Sequence, residues 1–66
     1  MRKNFQIYEY DEAKEYARSL VKATGQDAGI LKTREFRMEV YRVSFLPKPE
    51  NTFGEELRAE RVSVGD

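Results

Sequence analysis

Only one stretch of this chain repeats its apolar residues at helical spacing, and the segments flanking it repeat theirs in period two. Across Asp11–Thr24, Ala13, Tyr16, Ala17, Leu20 and Val21 form one stripe, which predicts an amphipathic helix of about three to four turns. Asp11 is placed to cap its start, Glu12 suits the positive end of its dipole, and Gly25 stands where a helix closes in the left-handed conformation. Lys14, Glu15, Arg18 and Lys22 fall on the outward face, where Glu15 gives Arg18 or Lys22 weak support. A lone helix cannot bury its stripe by itself, so the rest of the chain must supply a sheet.

Residues 4–10 alternate, with Phe5 and Ile7 on one side and Tyr8 and Tyr10 on the other, which predicts a strand. Gln26–Gly29 reads as a turn, and Ile30–Leu31 returns the chain to the core. From Arg34 to Phe45 the pattern is extended again, but its phase switches. Phe36, Met38 and Val40 share one phase; Tyr41, Val43 and Phe45 share the other. Such a switch marks a β-bulge or a central strand with apolar residues on both faces. Pro47 and Pro49 end the run, and residues 46–54 are irregular. Thr52 and Glu55 have the spacing of a capping box for a short helix, whereas Val62–Val64 reads as strand, so residues 51–61 stay open between helix, loop and strand. A third strand returning antiparallel along the second supports the helix better than two strands would.

The expected fold is therefore α+β: a β-α-β-β chain with one amphipathic helix packed on one face of a small three-stranded sheet, and a right-handed crossover through the helix. The expected core is Phe5, Ile7, Ala13, Ala17, Leu20, Val21, Ile30, Phe36, Met38, Val40, Val43, Leu57 and Val62. With 66 residues the chain makes one domain, residues 1–66, whose stability is on the order of 3–5 kcal/mol.

Composition then removes whole classes of chemistry. There is no Cys, which excludes a disulfide scaffold, thiolate zinc and thiol catalysis, and no His, the commonest general base and metal ligand. Ser19, Ser44 and Ser63 have no imidazole to activate them, and Glu55–Glu56 and Glu12 with Glu15 read as solvated charge. No catalytic residue, cofactor or metal is expected, and the chain is read as not an enzyme. No apolar run nears the roughly 18 residues of a membrane span, and no signal or lipidation motif is present, so a cytoplasmic protein with no membrane partner is expected. Twelve basic against twelve acidic side chains argue against bulk nucleic-acid binding.

Two constellations remain. Tyr8, Tyr10, Tyr41 and Phe45 are expected on the sheet face that no helix covers; with Arg37, Arg42 and, at the rim, Phe53 they make a partner-binding surface rich in interface anchors. Alternatively, Lys32, Arg34, Arg37 and Arg42, with Tyr41 or Phe36 as stacking platforms, make a small RNA- or DNA-binding strand. In that strand Arg37, Glu39 and Tyr41 share one face, with Lys32, Arg34 and Arg42 on the other unless the bulge realigns them. Exposed edges also allow a self-associating structural subunit, such as a homodimer.

In layout, the short aromatic strand Phe5–Tyr10 running straight into the charged helix Asp11–Leu20, followed by a sheet meander, resembles small proteins of bacteriophages and mobile elements, some anti-CRISPR proteins among them. The resemblance implies an inhibitor that occludes a surface of a host protein or ribonucleoprotein complex. It supplies no site residue.

Overall fold

The computed structural model describes Arg2–Gly65. In chain order it holds strand β1 (Arg2–Gln6), helix α1 (Tyr10–Thr24), strands β2 (Ala28–Glu35) and β3 (Met38–Phe45), two short 3-10 turns (Pro49–Asn51 and Gly54–Arg58) and strand β4 (Glu60–Val62). The four strands form one antiparallel sheet in the order β1-β3-β2-β4, with α1 packed on it. The chain is an α+β fold, as expected, with one more strand than the sequence suggested.

The extra strand is β2, where a turn at Gln26–Gly29 and a return to the core at Ile30–Leu31 were expected; the run Arg34–Phe45 holds the last two residues of β2, a hairpin turn and β3. The register Lys32↔Tyr41, Arg34↔Glu39 and Glu35↔Met38 closes on a two-residue loop, Phe36-Arg37. Both loop residues hold positive φ, 51° and 66°, the requirement of the mirror-image turn that matches strand twist. The phase switch has a second physical source: β3 lies inside the sheet and buries Val40 on one face and Val43 on the other. Because β1 and β2 both run antiparallel to β3, they are parallel to each other, and the β1-α1-β2 crossover spans β3.

Alternation and register sort the side chains. The helix side receives Phe5, Ala28, Ile30, Tyr41, Val43, Phe45 and Val62. Of these, Ala28, Ile30, Val43 and Val62 close with Ala13, Ala17 and Val21 into the buried core cluster. The two fully buried alanines let the helix approach the sheet closely. Leu31 and Val40 are buried on the opposite face, where Leu46 fills the space over Gly29: a Cβ there would lie 2.6 Å from Leu46 Cγ. Four expected core residues are exposed instead: Phe36 at 93%, Leu57, Met38 and, least, Ile7. Phe36 and Met38 stand at the hairpin end, and Leu57 lies in a 3-10 turn.

Helix α1 starts at Tyr10, after an N-cap Glu9 that makes no side-chain cap bond; Asp11 is inside the first turn rather than capping it. The Glu9 carboxylate instead accepts the Gln6 N–H at 2.8 Å, closing the tight turn out of β1. At the other end Gly25, φ 75°, donates its N–H to the Val21 carbonyl at 2.7 Å, as its position in the sequence predicts. Lys14, read as outward, reaches back to Glu60.

Thr52 does not open a helix. Its hydroxyl donates to the Lys48 carbonyl at 2.9 Å and accepts from Arg61 Nη2 at 2.8 Å. Arg61 Nη1 meets Asp27 Oδ2 at 2.6 Å and the Pro47 carbonyl at 3.0 Å. One guanidinium thus ties β4, the turn before β2 and the irregular segment together. That segment lies across the end of the face opposite the helix.

Candidate interaction surface

The hairpin lifts a small group of residues away from the core. Beyond Ile30, no strand pairs with β2 on its outer edge among the described residues, because β4 pairs only Ala28–Ile30. The paired arms continue to the Phe36-Arg37 turn. On the other side Gln6 lies opposite Val40, so the chain leaves β1 through Ile7 and Tyr8 at the same end of the sheet. Phe36 (93% exposed), Tyr8 (81%) and Met38 (51%) therefore gather at one pole of the molecule, with Ile7 beside them. Exposed Lys32 and Arg34 lead along β2 to the turn, and exposed Arg37 stands in it.

Among the described residues, four of the twelve cations enter ion pairs: Lys14 with Glu60, Arg18 with Glu15, Arg42 with Glu35 and Glu55, and Arg61 with Asp27. Lys32, Arg34 and Arg37 enter none of them, although Arg34 stands opposite Glu39 in register.

The expected binding residues do not share one face. Tyr8 and Arg37 meet the pole just described. Tyr10 and Tyr41 lie on the helix-covered side, edge to face with ring centroids 5.3 Å apart, packed against the core. Phe45 is half-buried on that same side. The helix-free face therefore lacks the aromatic row expected for it. Arg42 is on the face opposite Tyr41, its guanidinium 3.0 Å from Glu55 and 4.0 Å from Glu35. Phe53, 71% exposed, sits just before the second 3-10 turn. Lys32 and Arg34 share the face of Tyr41 and Glu39, the reverse of the single-strand expectation, since a hairpin turn folds the segment back on itself. Phe36 and Met38, expected in the core, are the hairpin's exposed apolar residues instead. The only trace of their exposure was the broken phase, because a turn without Gly, Asn or Pro carries no local signature.

One part-buried polar group was also missed. The Tyr10 hydroxyl donates to one Glu60 carboxylate oxygen and the Lys14 ammonium to the other. The bond to Glu60, then burial, pushes the Tyr10 phenol up to about 12. Lys14, then Tyr10, hold the Glu60 carboxyl below the usual range. The three side chains fix the start of α1 to β4.

Among the described residues no group of three His, Cys, Asp or Glu side chains could hold a metal ion, and no helix is long and apolar enough to cross a membrane. A surface groove of about 460 Å³ lies between α1 and Ser63–Gly65 and places Ser19 near Glu15, Arg18 and Lys22. No protein-family model matches the chain, and neither the curated proteins nor the solved structures include a match.

Proposed function

We propose that the chain is a non-enzymatic protein-binding module whose contact surface is the hairpin pole. The observation that carries this is the Phe36-Arg37 turn. Each non-glycine residue in the left-handed region costs roughly 1–2 kcal/mol, and hairpins of this kind favour Asn-Gly. A fold held by so small a core keeps Phe and Arg there at a cost its own stability does not explain, and 93% of Phe36 faces outward. Strain spent on displaying an aromatic and a guanidinium fits a binding anchor. Tyr8, Ile7 and Met38 widen the apolar patch. On this reading the protein acts by occupying a surface of a larger assembly; inhibition of a host nucleic-acid-processing complex by a phage or mobile-element protein is the form its layout suggests.

The test compares the wild type with Phe36→Asn/Arg37→Gly as baits in nuclease-treated bacterial lysate. The double variant is expected to melt higher and to lose a partner that the wild type holds in near-stoichiometric yield. Equal retention by both baits would sink the pole as contact surface. Retention that nuclease abolishes would turn the reading to nucleic acid bound through Lys32, Arg34 and Arg37.

A further inference from the structure

Resting on that reading, we infer how the partner docks: an extended acidic segment of the partner protein adds to the sheet along the outer edge of β2 at Lys32–Glu35, in the row that β4 begins and leaves unfinished. Three observations converge there. β4 stops at Glu60, opposite Ile30, and the chain before it crosses to the face opposite the helix, where the 3-10 turn Gly54–Arg58 packs near β2 without pairing to it and Glu55 meets Arg42. The next residues of β2 are therefore an open edge, and an open edge offers backbone N–H and C=O groups to any strand of matching register.

The side chains over that edge select the sign of the newcomer. Lys32 and Arg34 point to one face, both exposed and outside the ion pairs of the fold, so carboxylates on alternate residues of an added strand would stand directly across from them. Phe36 lies at the end of the same edge, placed to take an apolar residue that continues the segment. The other sheet edge is less suited. On β1 the Lys3 ammonium already sits 5.3 Å from the Phe5 ring centroid and 5.1 Å from that of Tyr16.

The experiment uses the full chain, isotope-labelled, with a capped synthetic peptide alternating Glu and Val and its Lys–Val counterpart as probes. With the Glu–Val peptide at ten times its Kd, the outward-pointing amides within Lys32–Glu35 should exchange roughly tenfold more slowly, since only the free fraction exchanges. Lys32→Glu/Arg34→Glu should weaken that peptide by roughly tenfold and admit the Lys–Val one, while Lys32→Gln/Arg34→Gln should weaken the first without admitting the second. Equal affinity for both peptides, or slowed exchange elsewhere, would overturn the inference. So would protection of these amides by rising protein concentration alone, which would mean a second copy pairs there. A thymidine oligonucleotide that displaces the peptide and leaves the amides unprotected would assign the cations to phosphate instead. A lysate partner that needs Phe36 but leaves these amides exchanging freely would end the strand addition and keep the protein-binding function; a partner indifferent to the turn would end the latter.

Discussion

Three residues decide local geometry here by opposite means. Gly29 is needed because of what lies over it: Leu46 Cγ and Cδ1 would be 2.6 and 2.7 Å from a Cβ, and the Ala59 Cβ 3.1 Å away. Gly29→Ala should therefore push Leu46 out of its place, costing about 1–3 kcal/mol, which a urea melt reads directly. Phe36 and Arg37 do the reverse, holding a backbone that glycine would hold more easily. That contrast explains what the sequence could disclose. Gly25 announced the helix end, because a lone glycine after a helical stripe has few other uses. Phe36-Arg37 announced nothing, and Phe36 and Met38 were read as core because an aromatic and a methionine usually are. From that one missed turn follow the misplaced Lys32 and Arg34, since reversing the chain reassigns every side chain beyond it to a face.

At the level of elements, α1 was legible nearly to its ends, because its period, first-turn acids and closing glycine agree. Its attachment to β4 was not, since Tyr10, Lys14 and Glu60 lie far apart in sequence and only the fold brings them together. The attachment has a pH signature. Glu60 binds its proton less readily in the folded chain than in the unfolded one, so its contribution is full above the ordinary Glu value of about 4.3 and fades as pH falls through the lower folded value. Tyr10 has the opposite sign. Its folded value of about 12 exceeds the unfolded 10.0, so its share is full below pH 10 and is lost as pH rises toward 12. Glu60→Gln should flatten the acid limb of a stability profile, and Tyr10→Phe the alkaline limb. Profiles unchanged in both variants would show that the contact does not hold in solution. The helix surface facing the sheet makes a further demand. Ala17 is fully buried, so Ala17→Leu should cost about 1–3 kcal/mol and lower Tm, whereas Glu15→Leu on the exposed side should leave Tm nearly unchanged.

For the molecule as a whole, one cluster includes residues from α1, β2, β3 and β4, so no element keeps a core of its own. Unfolding should be a single transition, with near- and far-ultraviolet dichroism falling together. Val62, 1% exposed in the last and shortest strand, belongs to that cluster. Val62→Ala should destabilise the entire chain by about 2 kcal/mol rather than fray one end. For a domain this small that is a fall of roughly 8–16 °C in Tm.

The strand order also gives the molecule two poles. Arg2 at the start of β1 lies level with Ser44, and Val62 at the close of β4 lies level with Ala28, so both strand ends sit at the pole away from the hairpin. They occupy opposite edges of the sheet. A label or surface linkage attached at the exposed Arg2 leaves Phe36 pointing outward, like the head of a pin whose shaft is the β2–β3 ribbon.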